Sequence, residues 1–199
     1  MSKKFKRRDL ILQQANILFS ERGFSAVSLE DIAEAVGVKR ESLYYYYPGK
    51  YDLLYDIIKP QIANTLDNFN LILKQETAFP QILRRGIINH LRQFNPSFLH
   101  MALAIRTNSK NEVEEKFIQL RDMFKDYEIK WVDAVRKACE VGEIRSDKPP
   151  RILAYSILGL CNSLSSWYRE EGEMTLDQIG HHFSDILQGG LLLPMDSQK

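Results

Sequence analysis

The side chains best equipped to act on a partner crowd into the first fifty positions. Lys3, Lys4, Lys6, Arg7 and Arg8 fall within the first eight residues, with no acid among them. Further along, Lys39, Arg40, Glu41 and Ser42 lead through Leu43 into four consecutive tyrosines, Tyr44 to Tyr47, closed by Pro48, Gly49 and Lys50. On a helix successive side chains stand roughly 100° apart, so the four phenols sweep about 300° around the axis. They cannot all enter one core, and some must face outward. Ammonium, guanidinium and phenol groups in that arrangement are donors for an anionic partner. Residues 1–50 hold nine Lys/Arg against six Asp/Glu, and the remainder eighteen against twenty, so a net charge of +1 conceals a cationic end on an acidic body. A polyanion is the partner this distribution implies, and a solvated tail that aids solubility is the competing reading.

Catalytic chemistry has no comparable support. The chain contains no G-x-S-x-G, no H-E-x-x-H and no phosphate-cradling glycine loop. His90, His100 and the pair His181–His182 have no evident catalytic partners. Cys139 and Cys161 lack metal spacing and read as reduced, buried thiols of a cytosolic protein. We expect no enzyme activity, no metal and no cofactor. No apolar run approaches the ~18 residues of a membrane span, and no apolar block follows the basic N-terminus as a signal peptide would require. The expected location is cytoplasmic, away from membranes.

The elements that must position these residues are helical almost throughout. Ile11, Ala15, Leu18 and Phe19 follow helical spacing, and Gly23 supplies the stop. Ser28 reads as an N-cap with Asp31 in the capping-box position, and Leu29, Ile32, Ala33 and Val36 form the apolar face of a two-turn helix ended by Gly37. A third short helix is expected from about Lys39 to Tyr46, broken by Pro48-Gly49, with a fourth starting near Lys50. Two short helices joined at a glycine, after a longer supporting one, make a helix-turn-helix, although the same spacing occurs in proteins that never touch DNA. Further helices are expected at roughly 50–75, 79–94, 97–107, 111–141, 149–170 and 175–191. The fold class is all-α, with a domain over 1–49 and a second over 50–199.

The identities over residues 6–54 then narrow the reading. Arg8, Ala15, Leu18-Phe19, Gly23-Phe24, Val27-Ser28, Asp31-Ile32-Ala33, Val36-Gly37-Val38, Ser42-Leu43-Tyr44, Tyr47-Pro48, Lys50 and Leu53-Leu54 resemble the DNA-binding domain of the TetR (tetracycline-repressor-like) family. The resemblance implies a homodimeric regulator whose grip on double-stranded operator DNA changes when a small molecule enters the C-terminal domain. It assigns Tyr44 to a phosphate, Tyr45 to backbone or a base, Tyr47 to the core and Lys50 to a phosphate. Tyr46 stands where the family usually has histidine. Ser28 caps its helix and is a further candidate for phosphate, as are Lys6, Arg7 and Arg8. At the front of the recognition helix stand Lys39, Arg40, Glu41 and Ser42. Arg40 is the favoured base contact there, because arginine can donate to guanine O6 and N7.

Residues 152–167 are apolar or small on nearly every face, and a helix without a charged face needs cover on all sides. A second subunit covering residues 149–191 is the expected solution, and burial inside the chain's own domain is the alternative. The stretch Leu160–Arg169, with Gly172, Leu176–Ile179 and Gly189–Leu191, resembles the family branch that senses fatty-acyl-CoA or other CoA thioesters. That implies an acyl chain among Phe98, Met101, Phe124, Tyr127, Trp131 and Asn162, with Arg106 or Arg121 toward the phosphates. A regulator of an efflux or stress operon that senses another hydrophobic compound, and a helical module that binds a protein through its first fifty residues, are the rival readings.

Overall fold

A computed structural model describes residues 3–93, 114–145, 147–169 and 171–189, apart from the side chains of residues 3–6, 114 and 117. The helix expected at 97–107 and the candidates Phe98, Met101 and Arg106 lie outside the described residues, as does the side chain of Lys6. Among the described residues every regular element is a helix: α1 (Lys3–Arg22), α2 (Leu29–Val36), α3 (Arg40–Tyr44), α4 (Lys50–Gln75), α5 (Phe79–Arg92), α6 (Glu114–Glu140), α7 (Pro150–Asn162), α8 (Leu164–Trp167) and α9 (Leu176–Gly189). They form two compact units. One takes the described residues up to 64 together with 114–126, and the other takes 65–93 together with those from 127 onward.

In the first unit α1 buries Ile11, Ala15, Leu18 and Phe19, the stripe its spacing predicts, and packs on α2. At the head of α2 the Ser28 hydroxyl accepts from the Asp31 amide at 3.1 Å, and the Asp31 carboxylate accepts from the Ser28 amide at 2.7 Å. Two otherwise unpaired N–H groups are satisfied reciprocally. At the other end Gly37 sits at φ 70°, and the Val38 amide returns to the Ala33 carbonyl at 2.9 Å. Glycine takes that left-handed conformation without the steric penalty of a Cβ, which fixes the turn between α2 and α3.

α3 is shorter than the sequence predicts. Lys39 is extended and caps it, and the helix ends at Tyr44. The amides of Tyr46 and Tyr47 both return to the Leu43 carbonyl, at 2.9 and 3.0 Å, in a tightened final turn. Pro48 has no N–H and keeps Tyr47 away from helical backbone, so the helix unwinds before it reaches the proline.

The second unit is built on α5, which packs chiefly against α9 and also against α7. Phe69 stacks on Trp131 with centroids 4.6 Å apart, and Tyr127 meets Phe69 edge-on at 5.4 Å. Gly86 lies against this stack: a Cβ there would come within 2.7 Å of the Trp131 ring and 2.9 Å of Phe69. The helix expected over 149–170 is interrupted at Ser163. The hydroxyls of Ser163, Ser165 and Ser166 bond to the carbonyls of Leu160, Asn162 and Ser163, at 2.7, 3.0 and 2.7 Å. Serine side chains that compete for backbone groups weaken a continuous helix, and α8 is a separate single turn.

Candidate nucleic-acid interface

The four tyrosines separate by depth. Tyr47 is 2% exposed, Tyr44 41% and Tyr45 69%, and Tyr46 is intermediate. Leu43, on the same side of the short helix as Tyr47, is fully buried, and each of these two rings or chains contributes about 1.5–3 kcal/mol by leaving water. Tyr46 sets its ring edge-on to Tyr45, centroids 5.2 Å apart. The exposed surface of α3 and its cap therefore presents Lys39, Arg40, Glu41, Ser42, Tyr44 and Tyr45 together.

The Tyr47 hydroxyl is not left bare in the core. It accepts from Arg8 Nε at 3.0 Å and donates to Asp56 Oδ2 at 3.2 Å, while Arg8 also pairs with Asp56. Burial, with the Asp56 charge beside it, pushes the phenol up to about 12, so it remains a neutral donor at any physiological pH. Arg8 thus ties α1 to the start of α4, a role the sequence reading did not assign it. Arg7 is exposed on α1 beside it.

Lys50 is placed differently from the expectation. Its ammonium donates to the carbonyls of Phe24 and Val27, both at 2.7 Å, and lies 4.4 Å from the Phe24 ring centroid. Partial burial lowers its pKa. Two of its three donors close the loop between α1 and α2, leaving at most one for a phosphate. Ser28 is likewise engaged with Asp31, and that bonding holds the Asp31 carboxyl below the usual carboxylate range. Arg40 lies between two partners. It pairs with Glu30 of α2, and its Nη2 donates to the Tyr44 hydroxyl at 2.9 Å.

The candidates for effector binding divide between the units. Phe124 is half-buried and Arg121 exposed on α6, in the first unit. In the second, Tyr127 and Asn162 meet a residue the sequence reading passed over, His90. Its Nδ1 lies 3.2 Å from the Tyr127 hydroxyl and its Nε2 3.0 Å from Asn162 Oδ1. With Asn162 Oδ1 accepting, Nε2 carries the proton and Nδ1 accepts from the phenol. Enclosure lowers the His90 pKa, while the Asn162 bond acts the other way and does not overcome it. The Trp131 indole N–H is buried in the same region without a hydrogen bond of ordinary geometry, although it lies near enough to Tyr127 to influence that phenol.

A cavity of about 470 Å³ opens elsewhere in this unit, among Phe79, Leu83, Val135, Leu153, Ile157 and Leu187. None of the effector candidates among the described residues lines it. Its described lining comes from four separated helices and from the turn at Glu143, Ile144 and Arg145, so no local sequence pattern marks it. Among the described residues no cluster of three or more His, Cys, Asp or Glu is placed to hold a metal, and no helix is long and apolar enough to cross a membrane.

A three-helix head with a buried anchor and an exposed basic and phenolic face, followed by a helical body, defines a helix-turn-helix regulator of transcription. Residues 11–57 match the family described as bacterial regulatory proteins, tetR family, and residues 78–191 match the tetracyclin repressor-like C-terminal domain. The chain belongs to the TetR family, whose members regulate transcription and are not enzymes. It is 24% identical over 195 residues to the HTH-type transcriptional repressor KstR2 of Rhodococcus jostii, covering 97% of this chain and 95% of the relative. The solved ketosteroid transcriptional regulator KstR2 of Mycobacterium tuberculosis superposes with a TM-score of 0.82 at 22% identity, over 92% of this chain and 94% of that one. AibR, solved with isovaleryl coenzyme A and operator DNA, gives a TM-score of 0.76 at 21% identity, over 90% and 97%. At that identity the two structures speak for the fold alone.

Proposed function

We propose that this protein is a repressor that binds a palindromic operator as a homodimer and lets go when a small hydrophobic effector, an acyl-CoA, enters its C-terminal domain. The observation that carries the DNA half is the separation within α3 and the residues flanking it: Leu43 and Tyr47 buried, with Lys39, Arg40, Ser42, Tyr44 and Tyr45 exposed. Tyr44 and Tyr45, with Lys6 and Arg7, hold phosphates and supply affinity, Ser28 serves by capping α2, and the front of α3 supplies specificity. Lys50 and Arg8 serve this face mainly by fixing the elements beneath it.

Dimerisation is supported by α7, which buries Ala154, Ile157, Leu158 and Cys161 but leaves Ile152 57% and Tyr155 37% exposed around Gly159. Such a face, with a small residue for close approach, suits a second copy. The effector half is supported by the Tyr127–His90–Asn162 set of the second unit. The acyl-CoA class rests on the resemblance of the C-terminal stretch and on the coenzyme A thioester held by the structural neighbour AibR.

Release requires that the effector prefer the conformation that binds DNA poorly, since equal affinity for both states would shift nothing. The first turns of α4 are suited to transmit that preference. Asp52 pairs with Lys116 at 2.6 Å and the Tyr55 hydroxyl bonds Gln119 at 2.6 Å, both on α6, while Asp56 on the next turn holds Arg8 and Tyr47. Titrating isovaleryl-, octanoyl- and palmitoyl-CoA into the protein–operator complex tests the reading. At least one should lower operator affinity about tenfold or more, which corresponds to ~1.4 kcal/mol of coupling. No loss with any of them would remove the acyl-CoA and leave a regulator of another hydrophobic compound.

A further inference from the structure

We propose that Arg40 does not read a base but works as a positioning residue, which aims the Tyr44 hydroxyl at a phosphate. Arg40 and Tyr44 are four residues apart on α3, the spacing that brings two side chains onto one helix face. One terminal nitrogen of Arg40 donates to the Tyr44 hydroxyl at 2.9 Å, and the guanidinium carbon stands 5.4 Å from the phenol ring centroid. The other terminal nitrogen pairs with Glu30 on α2. Two of the five guanidinium N–H groups, one on each terminal nitrogen, are thus engaged within the protein, and a bidentate contact to guanine would compete with the bonds that hold the fork against Tyr44 and Glu30.

The chemistry of the pair sets the direction of the next bond. A guanidinium only donates, so the phenol oxygen must accept from it. The phenol's own hydrogen is then directed away from Arg40 toward another acceptor. On operator DNA that acceptor is a phosphate oxygen, and the cation behind the phenol strengthens the contact. Glu30 anchors the assembly to α2, so α2 and α3 together fix one phosphate donor. Base reading falls to Lys39, Glu41 and Ser42, exposed on the same front. This rests on the reading of α3 as the DNA-facing helix, and it changes which residue of α3 carries specificity.

The two roles differ in what a substitution does across sequences. An operator duplex enriched by the wild-type protein from a random-sequence pool supplies the probe, with every base pair then exchanged singly. Affinities of wild type, Arg40→Gln, Tyr44→Phe and the double variant are measured by fluorescence anisotropy, each protein first checked for an unchanged melting curve. Arg40→Gln should weaken every duplex by a similar factor, about five- to tenfold, with the ranking of base pairs unchanged. The double variant should bind within about twofold of Tyr44→Phe, because both changes interrupt one contact. A loss concentrated at one or two base positions would make Arg40 a base reader and overturn the proposal. So would losses that multiply in the double variant. If the wild type enriched no sequence at all, the DNA-binding reading would fall, and this inference with it.

Discussion

Replacing Tyr47 with alanine removes a ring that is 2% exposed and strips Arg8 and Asp56 of their shared partner. We expect a loss of about 3–5 kcal/mol in denaturant unfolding, typical of truncating a buried aromatic side chain. Tyr47→Phe keeps the ring and the direct Arg8–Asp56 pair and loses only the hydroxyl's two bonds, so about 1 kcal/mol is expected. Tyr44→Phe should leave unfolding within about 0.5 kcal/mol of wild type and weaken operator binding five- to tenfold, or about 1 kcal/mol. A Tyr44→Phe variant that lost stability but no DNA affinity would move this residue off the interface. Angular spacing alone shows that the tyrosines must divide, and the resemblance sends Tyr47 inward. What the sequence hides is the set of partners: Arg8 is 39 residues from Tyr47, and the carbonyls that hold Lys50 belong to backbone at Phe24 and Val27. A leftover carbonyl in a loop leaves no mark on side-chain pattern, and so the sequence shows nothing of the two bonds that hold Lys50.

The elements obey stricter geometry than their composition suggests. Gly86 is an interior helix residue, and alanine there would ordinarily raise helix propensity. Here its methyl would meet Trp131 and Phe69 at under 3 Å, so we expect Gly86→Ala to destabilise by about 1–3 kcal/mol, read from the denaturation midpoint. A stabilising Gly86→Ala would show that the Phe69–Trp131 stack yields easily. His90 adds a pH dependence to the same unit. Its folded pKa lies below the ordinary value of 6.5, so the unfolded chain takes up a proton that the folded one resists. Stability from this residue is complete above that value and falls as pH drops through and below 6.5. The stability difference between pH 7.5 and 5.5 should shrink in His90→Gln, and an unchanged difference would exclude His90 as its source. Glycine and proline punctuation makes most helix boundaries legible, and both ends of α2 are marked, the start by the Ser28–Asp31 capping box and the end by Gly37. The break at Ser163 was not, because whether serine hydroxyls turn back onto carbonyls depends on packing that no periodicity records.

For the whole molecule, the head was far more legible than the body. A DNA-binding head must present one fixed surface, and its cap, turn and anchor residues recur at set spacings. The body proposed here, which encloses an effector and pairs with a copy, is held to no such surface, and many sequences can do both. The cavity among Phe79, Leu83 and Leu187 is assembled from separated helices for that reason. If the first fifty residues grip DNA through phosphates and select a sequence, the affinity of the wild-type chain for its enriched duplex and for a scrambled duplex, across 50–300 mM salt, will show it. Binding should be selective, and the logarithm of affinity should fall linearly with the logarithm of salt, with a slope of about −5 to −9 for a dimer making six to ten phosphate contacts. Equal affinity for both duplexes, or an affinity flat in salt, would contradict that reading.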